Sequence, residues 1–136
     1  MDYKKEQHKQ EPETNSGNIC IAVRKRPVSD KERQKLDHDS VSCFPPKIWI
    51  HSAKFKVDGI SKYITHNSFQ LDHAFGEGAT TQNIYIATTL PLVDHVVTTQ
   101  GRATVFCYGQ TGSGKTHTMN GIQQILAYDL YGQLQE

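Results

Sequence analysis

What this chain has little of narrows its class before any motif is read. No apolar run is long enough to cross a bilayer or act as an export signal, and the first residues, Met1 to Glu6, are polar. Export and membrane insertion are not expected. Cysteine is scarce and odd in number: Cys20, Cys43 and Cys107 show no C-x-x-C spacing and fall in or near apolar strand patterns, so they read as reduced core residues. The seven histidines lack ligand spacing, which leaves no expectation of a metal site built by the protein alone. Internal repeats and low-complexity tracts are absent.

Net charge is also small, +1 over 136 residues, but it is unevenly distributed. Between Arg24 and Lys62 stand ten Lys/Arg and five Asp/Glu, while the remainder carries five against nine. A basic region of this kind can meet nucleic acid, an anionic membrane or an acidic protein surface, and composition does not choose among them.

Turn signals and periodicity give the layout. Residues 1–18 are polar, mixed in charge and end in Asn15, Ser16, Gly17 and Asn18, so they read as a flexible leader ahead of one domain over 19–136. Ile19 to Arg24 is apolar on both faces and predicts a central strand ending before Pro27. Short strands are expected at Val41 to Cys43 and Lys47 to His51, and a half-buried one where Phe69, Leu71, His73 and Phe75 alternate. A helix is expected from Thr81 to Thr99, presenting Ile84, Ala87, Leu90 and Val97 and bent at Pro91.

The most specific stretch is Gly109-Gln110-Thr111-Gly112-Ser113-Gly114-Lys115-Thr116, which fits the phosphate-cradling pattern G-x-x-x-x-G-K-[ST] at every required position. The apolar run Thr104 to Tyr108 before it reads as a buried parallel strand. Glycines then let several N–H groups point at phosphate oxygens, and a helix opening at Gly114 adds positive potential at the same point. Lys115 reaches the β- and γ-phosphates as a point charge, and the Thr116 hydroxyl holds Mg²⁺. The chemistry is that of a nucleoside triphosphate.

Phe106 to Met119, including His117, resembles the phosphate loop of kinesin motors over its whole length, with Cys107 where that family usually has alanine. Val23-Arg24-Lys25-Arg26-Pro27 resembles the strand-end Arg-x-Arg-Pro that lies against adenine in kinesins, and Tyr85 resembles the helix tyrosine covering the other side of the base. A proline that fixes the backbone and planar Arg and Tyr groups suit that task. Lys54 to Tyr63 resembles the extended loop of the kinesin-13 class, with Lys56, Val57 and Asp58 as its tubulin-contacting tip; Arg24 to Pro27 and Pro91-Leu92-Val93 have the form of the same class.

The resemblance implies an α/β phosphate-loop NTPase with a kinesin-motor-like central mixed sheet flanked by helices, of which residues 19–136 supply the N-terminal part. It implies Mg-ATP as ligand and catalysis resting on Lys115 and Thr116. The nucleotide site is Gly109 through His117 with Arg24, Arg26, Pro27 and Tyr85, and tubulin or the microtubule is the partner. Nucleic acid and membrane are not expected as partners, and homodimerisation is expected only through regions outside this stretch. A complete motor of this type is a microtubule-dependent ATPase that depolymerises microtubules in the cytoplasm, at the spindle. The alternatives are a transport kinesin of another class, or a truncated module that binds nucleotide or tubulin and turns nothing over. A guanine-nucleotide switch lacks support, because no Asn-Lys-x-Asp motif is present.

Two family elements that sense the γ-phosphate have no counterpart here, a Ser/Arg-rich switch and a strand-end Asp-Leu-Ala-Gly. Asp129-Leu130-Tyr131-Gly132 imitates the second. It follows Thr116 too closely for a helix and a crossover back to a parallel strand. Gly121 to Leu134 reads instead as the second half of the phosphate-loop helix, with Ile122, Leu126, Leu130 and Leu134 as an apolar stripe, so turnover is not expected from this stretch alone.

Overall fold

The computed structural model describes residues 19–133; the leader over 1–18 and Leu134 lie outside them. Within these residues the chain runs β1 (Ala22–Arg24), α1 (Asp30–Gln34), β2 (Val41–Phe44), β3 (Lys47–Phe55), β4 (Lys62–Gln70), β5 (His73–Phe75), α2 (Thr81–Thr88), α3 (Leu90–Thr99) and α4 (Lys115–Gln133). The expected α/β character holds, with parallel and antiparallel pairing both present. The two kinds of pairing sit in two sheets: β1 pairs parallel with β5, and β2-β3-β4 form an antiparallel meander.

Several boundaries differ from the sequence expectation. The alternating run Phe69 to Phe75 is two strands in different sheets, because the chain turns at Leu71 and Asp72 to place His73 beside Ala22. The expected helix from 81 to 99 is two helices broken at Thr89, since Pro91 has no N–H to continue the ladder and instead occupies the first turn of α3, where none is needed. Val93 takes the buried position, and Val97 is 38% exposed.

The apolar run Thr104 to Tyr108 does not form a strand. A strand exists only through a hydrogen-bonded neighbour, and among the described residues β1 and β5 pair only with each other. Phe106 and Tyr108 are accordingly exposed. The cysteines also correct the reading: all three are free, but Cys20 is exposed ahead of β1, and Cys43 and Cys107 are only half-buried.

The core lies among the three long helices. Ile84, Tyr85, Val93 and Ile122 are buried together, with Phe75, Leu90, Ile125, Leu126 and Leu130 packed around them. The stripe read along α4 therefore faces this core at Ile122, Leu126 and Leu130. Burying a side chain such as Ile122 contributes about 1.5–3 kcal/mol, and this packing holds α4 and the loop that feeds it. The Asp129 to Gly132 imitation falls inside α4, as a helix rather than a strand end.

Candidate functional site

The loop from Gly109 to Gly114 gets its shape from backbone that only glycine adopts easily. Gly112 (φ 82°) and Gly114 (φ 94°) lie in the left-handed region, and a Cβ on Gly109 would meet Ser113 Oγ at 2.6 Å. The Ser113 N–H donates to the Gln110 carbonyl at 3.1 Å and closes the loop. Thr118 N–H then donates to Gly114 O at 3.1 Å, so Lys115 and Thr116 stand in the first turn of α4.

Lys115 folds back across the loop, its ammonium donating to Gly109 O at 2.5 Å and Gln110 O at 2.8 Å. Among the described residues no carboxylate pairs with it. A half-buried cation without a counter-charge, beside a helix start whose first N–H groups have no intrahelical acceptor, is a place for an anion. Thr116 and His117 are exposed beside it, as are Gln110, Thr111 and Ser113. These residues fit a triphosphate with its magnesium ion: the loop supplies donors and a cation, and the Thr116 oxygen is a hard ligand of the type Mg²⁺ takes.

The residues read as base-facing are placed differently. Arg24, at the end of β1, donates from its guanidinium to Thr118 Oγ1 at 2.9 Å, Thr81 Oγ1 at 3.3 Å and Ala79 O at 3.3 Å. It therefore joins β1 to the start of α2 and to α4. Arg26 and Pro27 are exposed, and Arg26 makes a two-pronged pair with Glu32 at 2.5 and 2.8 Å. That guanidinium, with Ser29 also donating, holds the Glu32 carboxyl well below the usual carboxylate range. Tyr85, expected to cover the base, has its ring enclosed in the helical core at 1% exposure. Its hydroxyl has no normal hydrogen-bond partner, and burial, with the Asp129 carboxylate adding to it, raises its pKa. The structure thus brings Gly109 through His117 together with Arg24, and leaves Arg26, Pro27 and Tyr85 outside that group.

Lys56, Val57 and Asp58 cap the β3-β4 hairpin. Val57 is fully exposed, and Phe55, Lys56, Val57, Asp58 and Tyr63 line a shallow groove there. Asp58 plays a different part from its neighbours: its carboxylate accepts from Ser61 Oγ at 2.6 Å and from the N–H groups of Ser61 and Ile60 at 2.9 and 3.0 Å. The Ser61 hydroxyl foremost, then those two N–H groups, holds Asp58 below the ordinary carboxylate value. Gly59 completes the turn at φ 69°. Asp58 organises the turn, and Lys56 and Val57 are what it presents.

Thr118, Thr81 and Ser61 were not singled out in the sequence. Ser61 was legible in principle, since an Asp followed three residues later by Ser at a Gly-containing turn is a local capping pattern. Thr81 and Thr118 carried no such signal, because only folding brings them to Arg24.

Comparison with known proteins agrees with this geometry. The family described as "Kinesin motor domain" matches residues 24–133. A protein named "Diatom spindle kinesin-1", from Cylindrotheca fusiformis, is 86% identical over 123 residues, covering 90% of this chain and 20% of the relative. The chain thus spans about a fifth of the length of that relative.

Proposed function

This chain belongs to the kinesin motor-domain family, and we propose that it forms the nucleotide-binding front of a motor that hydrolyses Mg-ATP in response to microtubules. The observation that carries this reading is Lys115, a cation turned back over a glycine-shaped loop with no carboxylate among the described residues paired to it. Backbone N–H groups of the loop and the Lys115 ammonium balance charge on the transferring phosphoryl group, and the Thr116 hydroxyl would hold Mg²⁺, which neutralises the phosphate oxygens when bound. Arg24 fixes the first turns of α4 so that these groups keep their positions. Catalytic roles beyond Lys115 and Thr116 fall to residues outside this stretch.

The finer reading is a kinesin-13-like motor that removes tubulin subunits from microtubule ends. Its support is the β3-β4 hairpin, whose turn is held by Asp58 and which offers Lys56 and fully exposed Val57. A competing reading is a spindle or transport motor of another class, favoured by the name of the 86% identical relative, which speaks of the spindle and not of depolymerisation. Both readings place the motor on microtubules, at the spindle.

Replacing Lys56, Val57 and Asp58 together by alanine in the full-length motor tests the choice. Shortening of stabilised microtubules, followed by fluorescence microscopy, should nearly stop while nucleotide affinity stays within about twofold, as expected of a surface change. A parent motor that glides along microtubules without shortening them, or a triple variant that shortens them at the parental rate, rejects the depolymerase reading.

A further inference from the structure

Two histidines that are fifteen positions apart in sequence meet on the antiparallel sheet. His51 of β3 stands directly opposite His66 of β4, their Nδ1 atoms are 2.7 Å apart, and the rings meet edge to face with centroids 4.9 Å apart. On the far side of the first ring, His51 Nε2 lies 2.9 Å from Ser42 Oγ on β2. With the Ser42 oxygen accepting from Nε2–H, the His51 Nδ1 is left with a bare lone pair aimed at His66. A hydrogen on His66 Nδ1 satisfies that lone pair. A cation between the rings satisfies both Nδ1 atoms at once, while the hydrogen moves to Nε2 of His66.

We propose that His51 and His66 form a two-histidine site for a divalent transition ion of the Zn²⁺ class, which clamps β3 to β4. Imidazole nitrogens suit such ions as ligands, and a hydrogen bond donated by the other ring nitrogen, here from His51 Nε2 to Ser42 Oγ, is the usual support of a metal-binding histidine. Zinc–nitrogen bonds of about 2.0–2.1 Å at a tetrahedral angle set the nitrogens about 3.3 Å apart, so the pair must open by about 0.6 Å. His66 is exposed, and the proposal requires its ring to tilt outward by that amount.

Among the described residues no group of three or more His, Cys, Asp or Glu stands ready for a metal, so water fills the remaining positions and the ion exchanges freely. The pair lies in the stem of the hairpin that carries Lys56 to Asp58. A bound ion there stiffens the stem by a cross-strand link. The site stands independently of the motor reading.

The test titrates zinc chloride into the 136-residue chain in ATP-free buffer and follows the ring nitrogens of all histidines by NMR. The Nδ1 signals of His51 and His66 should move together, at one midpoint and with one ion per chain. His66→Gln and His51→Gln should each raise the midpoint tenfold or more and Ser42→Ala a few-fold, whereas His73→Gln should leave it unchanged. Separate midpoints for the two rings in the unaltered protein, or a midpoint that His66→Gln does not move, would show the pair to be a hydrogen bond and nothing more. The comparison within the unaltered protein decides the matter even where a variant folds poorly.

Discussion

The guanidinium of Arg24 donates to the hydroxyl of Thr118 across 2.9 Å, tying the end of β1 to α4 within one turn of Thr116. The same group reaches Thr81 and the Ala79 carbonyl, so three segments distant in sequence meet at one side chain. Removing Arg24 leaves three acceptors without their donor, and hydrogen bonds to a charged group contribute about 1.5–3 kcal/mol each in favourable cases. Because the cluster is only part-buried, Arg24→Ala should lower the unfolding free energy in urea by about 1–2 kcal/mol and Thr118→Val by about half of that. Equal stability of Arg24→Ala and parent would show that the contacts are incidental.

At the phosphate loop, Lys115→Ala removes a cation that no carboxylate among the described residues neutralises, and Thr116→Ala removes the hydroxyl proposed to hold magnesium. In the full-length motor, each should reduce microtubule-stimulated phosphate release by at least about a hundredfold. A Lys115→Ala rate within a few-fold of the parent would mean that the loop does not act on phosphate.

Gly121 of α4 faces Thr81, the first residue of α2. A Cβ there would meet Thr81 Cγ2 at 2.8 Å and Thr81 Cβ at 3.3 Å, so Gly121→Ala must push the two helices apart. Overpacking of this kind costs about 1–3 kcal/mol, offset in part by the better helix propensity of alanine. Thermal unfolding should show a lower midpoint for Gly121→Ala and recovery in the Gly121→Ala/Thr81→Ser double variant, where the offending methyl is gone. No recovery would place the strain elsewhere.

Lys25 bridges Asp39 at 2.5 Å and Glu77 at 2.7 Å, joining β1 to the segments before β2 and after β5. The Lys25 ammonium, foremost by its hydrogen bond, holds Asp39 below its ordinary value of 3.8. A carboxyl depressed in the folded state contributes stability that is complete above the unfolded value and is lost as pH falls through the folded one. Urea midpoints should therefore drop as pH is lowered below about 3.8, and Asp39→Asn should flatten that drop. At pH 7 the same substitution should cost no more than about 1 kcal/mol, because Asp39 is 46% exposed and solvent screens the pair. A drop of the same size in parent and Asp39→Asn would assign it to other carboxylates.

The phosphate loop was legible because every requirement it meets is local. Gly112 and Gly114 supply left-handed backbone and Lys115 follows at once, so spacing alone predicts which groups face an anion. The same holds for the tip of the β3-β4 hairpin and for the apolar stripe from Ile122 to Leu130, where one helical period sets the buried face. The strand expected at Thr104 to Tyr108 failed for the opposite reason. Its apolar run describes an environment, whereas a strand also needs a hydrogen-bonded partner, and none of the described strands pairs with these residues.

What sequence determined by itself was the family, through matches running along most of the chain, and the turns of the glycine loop and of the hairpin, each set by residues within about a dozen positions of one another. Tertiary structure alone decided where Arg24 and Tyr85 point: one is drawn to Thr118 by hydrogen bonding, and the other into the core by burial of its ring. It alone also decided that His51 faces His66, because strand register converts a spacing with no ligand pattern into direct opposition across a sheet.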